Sequence, residues 1–86
     1  MDPYKVIKYP LSTEKSIRLM ESENKLIFVV DKKATKQDIK KAAEKVYKVK
    51  VIKINTLNAP DGKKRAYIKL SPETPAIDLA TELGLM

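Results

Sequence analysis

Five consecutive apolar residues, Leu26-Ile27-Phe28-Val29-Val30, stand between Lys25 and Asp31. The β-branched and aromatic content of the run predicts a strand over Lys25–Asp31. In a strand, Leu26, Phe28 and Val30 point to one side, and Ile27 and Val29 to the other. A strand that is apolar on both sides needs cover on both sides, which places it in the interior of a sheet. At 86 residues this requirement is severe. A domain of that size buries only roughly two-thirds of its unfolded-chain surface, so its core is thin. The chain has no Cys, so no disulfide or thiolate metal site can brace that core. One domain, residues 1–86, is expected, with this strand at its centre.

The flanking patterns supply the cover. Tyr4 to Ile7 reads as a first strand, broken by Tyr9-Pro10-Leu11. Ser12 can cap a short helix that carries Glu14 in its first turn and Ile17 and Met20 on one face. Polar Glu21 to Asn24 ends it. Thr35 and Asp38 have capping-box spacing and open the clearest helix, whose buried stripe is Ile39, Ala42, Ala43, Val46 and Tyr47. Lys41, Lys45 and Lys48 fall on its opposite face, and Lys36 and Lys40 flank the stripe. Val49 to Leu57 predicts a third strand, and Lys64 to Leu70 a fourth. Asn58-Ala-Pro-Asp-Gly62 supplies the hairpin turn between them. Thr74 and Pro75 fit as N-cap and first residue of a last helix, with Ile77, Ala80 and Leu83 apolar and Gly84 a C-cap.

The order is β-α-β-α-β-β-α. The hairpin makes strands three and four antiparallel neighbours, and strand four can fit between strands two and three. The expected fold is α+β: a mostly antiparallel four-stranded sheet with packed helices. The expected core is Leu26, Phe28, Val30, Ile39, Ala43, Val46, Ile52, Ile54, Ile68 and Leu70.

Charge and missing residue types narrow the function. The net charge is +7 and is unevenly placed. Residues 32–53 carry nine Lys against Asp38 and Glu44, whereas residues 71–86 carry three acids and no base. A basic centre of this kind points to a polyanion, usually nucleic acid. The chain has no His, which removes the commonest general base and metal ligand. Two isolated Gly residues cannot form a phosphate-cradling loop. No catalytic residue, metal ligand or cofactor is expected. No apolar run approaches the ~18 residues of a membrane span, and no signal pattern opens the chain. A soluble intracellular protein is the expectation.

Two clusters suit phosphate and ribose. Ser12, Thr13, Lys15 and Ser16 gather at a helix start, where free backbone N–H groups favour anions. Asn55, Thr56 and Asn58 end strand three, beside Lys63, Lys64 and Arg65 across the hairpin. Lys8, Asn24, Lys25, Lys32, Lys36, Lys53 and Lys69 complete the candidate RNA contacts. Taken alone, the Asn and Thr residues could simply shape the turn, and the lysines could be an ordinary solvated surface. An RNA-recognition sheet would carry stacking aromatics on its central strands. Phe28 reads as core and Tyr67 as a half-exposed sheet residue, too few for that signature.

Pro10-Leu-Ser-Thr-Glu-Lys-Ser16, Asn24-Lys25, Phe28-Val-Val-Asp31, Ala34-Thr-Lys36, Ile39-Lys40, Val46-Tyr-Lys-Val-Lys-Val51, Asn55-Thr56, Lys63-Lys64, Ala66-Tyr67 and Leu70 follow one another along nearly the whole chain. As an ordered set these segments resemble large-subunit ribosomal protein L23. Ala76-Ile-Asp-Leu-Ala80, Leu83-Gly-Leu-Met86 and the compact loop at 58–63 resemble the archaeal and eukaryotic branch. The absence of a basic N-terminal extension makes an archaeal source the expectation. The resemblance implies a cytoplasmic protein on the ribosome that binds large-subunit ribosomal RNA near the polypeptide exit. It implies proximity to ribosomal protein L29. It also implies a docking role for a signal recognition particle or nascent-chain chaperone, with Glu14 at the exposed rim. The loop at 58–63 is too short to reach into the tunnel as the bacterial hairpin does. Two other readings compete: a protein-interaction module kept soluble by its lysines, and a small acylphosphatase-like enzyme.

Overall fold

A computed structural model describes residues 2–84. Its first element departs from the sequence reading. Tyr4 lies not in a strand but in a one-turn helix, α1 (Pro3–Val6), and the strand β1 follows at Ile7–Pro10. The Asp2 carboxylate accepts from the Tyr4 N–H at 3.0 Å, and Pro3 stands at the first helical position with its φ already helical. This local capping outweighs the strand propensity of Tyr4 to Ile7. Pro10, expected to break a strand, lies in β1, which forms an edge of the sheet and tolerates a missing donor.

The helix α2 (Glu14–Glu23) starts at Thr13 as N-cap rather than Ser12, and runs through Glu21–Glu23. Asn24 ends it in the left-handed region, at φ 56°. The strand β2 (Lys25–Val30) follows, then α3 (Lys36–Val46). Thr35 and Asp38 form the reciprocal cap expected of them: Thr35 Oγ1 accepts from the Asp38 N–H at 3.1 Å, and the Asp38 carboxylate from the Thr35 N–H at 3.0 Å. Those hydrogen bonds hold the Asp38 carboxyl below its ordinary value. Ile39, Ala42 and Ala43 are buried, while Val46 and Tyr47 are half-buried. Tyr47 stacks on Phe28 with ring centroids 5.5 Å apart.

The strands β3 (Val51–Asn58) and β4 (Lys64–Leu70) form the hairpin. Its turn is closed by the Ala59 N–H donating to Lys63 O at 2.8 Å, and Gly62 takes the φ of +82° that a side chain would resist. The sheet order is β1-β2-β4-β3 and every neighbouring pair is antiparallel. The expected order of elements therefore stands, with α1 added in front.

The register of β3 differs from the expectation. Val51 pairs with Leu70 and Lys53 with Lys69, so Ile52 is an extra residue, a bulge on an edge strand. Val51 turns inward in its place. Ile52, expected in the core, is 55% exposed, and Ile54 is half-buried. Lys8 is the corresponding extra residue on β1.

The last helix, α4 (Ala76–Glu82), has Pro75 at its N-cap, one residue later than expected. Ala76, Leu79 and Ala80 face inward and Ile77, expected on the apolar side, faces outward. Pro75 offers no capping side chain, and Asn24 supplies the cap: its Oδ1 accepts from the Ala76 N–H at 2.6 Å.

All four helices pack on one side of the sheet. Their buried residues join Leu26, Phe28, Val30, Ala66, Ile68 and Leu70 in one cluster. Ile27 and Val29 lie on the opposite face, outside that cluster, yet are 4% and 3% exposed. β2 is thus an interior strand covered on both sides, as expected. On the second side no helix packs; Tyr67, Arg65 and Tyr9 stand beside Ile27 and Val29 on the neighbouring strands.

Candidate nucleic-acid interface

The face without helices is built in rows. Lys69 on β4 stands directly between Lys25 on β2 and Lys53 on β3. Below them Tyr67 stands between Ile27 and Asn55, and below those Arg65 stands between Val29 and Leu57. Tyr9 on β1 pairs with Val29 and extends the last row. Long stems of Arg and Lys and the Tyr rings shield Ile27 and Val29 while leaving polar tips in water.

Three lysines abreast on adjacent strands repel one another, which costs stability. Lys25 is partly compensated by Glu23, at 3.3 Å. Among the described residues, Lys53 and Lys69 have no carboxylate within ion-pair distance. A polyanion laid across the row would relieve that repulsion. Arg65 has only a loose partner, Asp61 at 3.9 Å, and its Nε is buried without a hydrogen bond.

At the hairpin end, Lys63 donates to the Tyr9 hydroxyl at 3.1 Å. This hydrogen bond holds the Lys63 ammonium above the ordinary lysine value, so it stays charged at any neutral pH. Lys8 and Lys32 line the same shallow recess as Tyr9 and Lys63. Tyr9 was not among the expected contacts. Its place follows from β1 running from Ile7 to Pro10, which the capping signal of Asp2-Pro3 would have given.

The two clusters read from the sequence are divided by the structure. In the first, Thr13 and Ser16 are committed to each other. Thr13 Oγ1 accepts from the Ser16 N–H at 3.1 Å, Ser16 Oγ accepts from the Thr13 N–H at 2.8 Å, and that hydroxyl donates to Thr13 O. The helix start is closed by its own side chains rather than open to an anion. Ser12 is exposed, and exposed Lys15 reaches the open face, its Nζ 5.9 Å from the centre of the Tyr67 ring. In the second cluster, Asn55 and Arg65 lie on the open face. Thr56, Asn58 and Lys64 belong to the helix side by strand alternation, and Lys64 donates to Ala34 O at 2.7 Å.

Asn24 is also spent on the fold. Its Nδ2 donates to Leu70 O at 3.0 Å and Ser71 O at 3.1 Å, while Oδ1 caps α4. Lys36 is exposed on α3 beside Ile52 and Lys53, along the outer edge of β3. Glu14 is exposed and pairs with Arg18 one turn on, at 2.8 Å.

Among the described residues, no group of three or more metal-binding side chains comes together, and no helix is long and apolar enough to cross a membrane.

The family model described as ribosomal protein L23 matches residues 5–77. The chain belongs to the ribosomal protein L23 family. It is 48% identical over 85 residues to the large ribosomal subunit protein uL23 of Trypanosoma brucei brucei. The match covers 99% of this chain and 52% of that protein, so the chain spans about half the length of the curated relative it matches. The resemblance carried by Pro10–Ser16 and the later segments is borne out. An archaeal source gains no support from that relative. Membership in L23, a family of structural ribosomal proteins, removes the acylphosphatase-like reading.

Proposed function

We propose that this L23 chain is a structural constituent of the large ribosomal subunit that grips large-subunit ribosomal RNA through its open sheet face. The observation that carries this is the row Lys25–Lys69–Lys53, three cations side by side on neighbouring strands. Arg65, Lys15 and Lys63 extend the positive surface along the same face. Phosphate oxygens would neutralise that row, and the hydroxyl and amide tips between the cations suit ribose. The large-subunit name of the Trypanosoma relative supports the assignment, as does the family match over most of the chain.

In this reading the domain sits near the polypeptide exit, on the cytoplasmic ribosome, with ribosomal protein L29 close by. The exposed outer side of α2, bearing Glu14, offers a carboxylate to a signal recognition particle or nascent-chain chaperone.

The test compares two triple variants in binding to a large-subunit RNA fragment at several salt concentrations. Lys25, Lys53 and Lys69 are changed to Ala in one, and in the other Lys41 and Lys45 on α3 together with Lys48, which the structure places just beyond the helix end, at φ 56°, rather than on the helix as expected. Each phosphate contact contributes roughly −0.7 to −0.9 to the log–log salt slope. The open-face variant is expected to flatten the slope by about two units or more, and the α3 variant to leave it nearly unchanged. The reverse result would place the RNA on the helical side. No salt-dependent binding in the unmodified chain would favour a protein-interaction module instead.

A further inference from the structure

Tyr67 lies in the middle of the cationic face, where contact with phosphates alone has no use for a ring. It sits on β4, one of the two central strands, with apolar Ile27 on one side and Asn55 on the other. Asn55 is exposed, Tyr67 is half-buried, and Lys15 hangs above the ring on a flexible stem. Arg65 and Lys69 flank Tyr67 along the strand, on the same face. An aromatic platform, an amide with a donor and an acceptor, and three surrounding cations thus share one small area.

We infer that Tyr67 is a stacking site for one unstacked nucleobase of the bound RNA, with the Asn55 amide at the edge of that base and Lys15, Arg65 and Lys69 on its flanking phosphates. The inference rests on the RNA reading above and specifies the form of RNA that the face takes. Every base has a π-face, and stacking on an aromatic side chain is worth enough to change affinity several-fold or more. A fully paired helix keeps its bases stacked inside and cannot use such a platform. A bulged or looped nucleotide can. Lys15 leaves the ring for a phosphate when the base arrives, which its exposed position on α2 permits.

The test uses the purified 86-residue chain and two RNA hairpins that differ only in one bulged 2-aminopurine. The bulged hairpin is expected to bind on the order of tenfold more tightly, with its fluorescence quenched on binding. Tyr67→Phe keeps both effects. Tyr67→Leu removes both, so that the bulged hairpin binds no more tightly than the paired one. Asn55→Ala, at an exposed position that leaves the fold intact, weakens the preference severalfold and serves where Tyr67→Leu is unstable. Equal affinity of the unmodified chain for the two hairpins, or a preference that survives Tyr67→Leu, overturns the inference and leaves the RNA reading standing. Absence of salt-dependent binding to either hairpin overturns the RNA reading and the inference together.

Discussion

The two faces of the sheet are made by the same two central strands and are buried in different ways. Toward the helices, β2 and β4 present Leu26, Phe28, Val30, Ala66, Ile68 and Leu70, which share one core cluster with buried residues of the helices. Toward the open side they present Lys25, Ile27, Val29, Arg65, Tyr67 and Lys69. Ile27 and Val29 are nearly as inaccessible as Phe28, but their cross-strand neighbours on that face, Tyr67, Arg65 and Tyr9, have polar tips and rotatable stems. Burial on the helix side is rigid, and burial on the open side is provisional. A face shielded this way can keep its apolar residues dry in the free protein and still offer cations and a ring to a ligand.

The contrast is broken most directly by cavity formation. Phe28→Ala removes a ring that stacks on Tyr47 between the sheet and α3, and is expected to cost ~3–5 kcal/mol in urea unfolding. Ile27→Ala on the open face is expected to cost ~2 kcal/mol, the low end for such a truncation, because the overlying stems can collapse into the space. Equal losses would mean that the open face is packed as rigidly as the other, and the idea of provisional cover would fail.

Asn24 sharpens the division between residues of the fold and residues of the interface. Its side chain ties the end of α2 to the end of β4 and caps α4, all from a left-handed backbone. Asn24→Gly keeps that backbone accessible and removes only the side-chain hydrogen bonds. The expected loss is ~1–3 kcal/mol, since buried carbonyls and the first N–H of α4 lose partners. RNA affinity at matched folded fraction should not change. A weaker RNA complex with undiminished stability would return Asn24 to the interface.

Arg65 and Lys64 are chain neighbours on opposite faces, so they test the alternation itself. Arg65→Ala should remove about one phosphate's share of the salt slope, roughly 0.7–0.9. Lys64→Ala should leave the slope alone and cost a little stability, through the Ala34 carbonyl it now serves. Equal slopes for the two variants would show that the hairpin cations act as one cluster regardless of face.

Long periodic segments carried the fold in the sequence. The strand at Lys25, the Thr35–Asp38 cap and the β4 alternation were legible there, because each is set by neighbours within a few residues; the place of β4 between β2 and β3 follows from the hairpin and the crossover taken together. What was not legible arises from accommodation between elements. The bulge at Ile52 lets β3 follow β4 at the sheet edge, and no local propensity marks it. The cap of α4 comes from Asn24, 52 residues away in sequence. For the interface, composition located the cations but not their sides. The group Lys63-Lys64-Arg65 looked like one cluster, and strand period divides it: Lys63 goes to Tyr9, Lys64 to Ala34 and Arg65 to the open face. Tyr9 escaped notice because its strand was placed three residues too early.

Glu14 gives the smallest expected change in stability, and it asks whether α2 has a function separate from both faces. In the free chain its carboxylate pairs with Arg18, with both side chains mostly exposed, and it lies near the positive end of its helix. An exposed pair of this spacing contributes ~0.2–0.5 kcal/mol, and the helix-end charge a similar amount. Glu14→Lys should therefore destabilise the domain by less than about 1 kcal/mol. It should not weaken RNA binding, because it removes no cation from the open face. If Glu14 meets a basic group on a docking factor, the reversal replaces attraction by repulsion and weakens factor affinity for the ribosome at matched salt. The double variant Glu14→Lys with Arg18→Glu restores a pair within the helix without restoring a carboxylate at position 14. Factor binding should stay weak in that variant. Recovery there would mean that the helix, not Glu14, had been disturbed, and equal affinity across all three ribosomes would leave the docking site to other exposed groups.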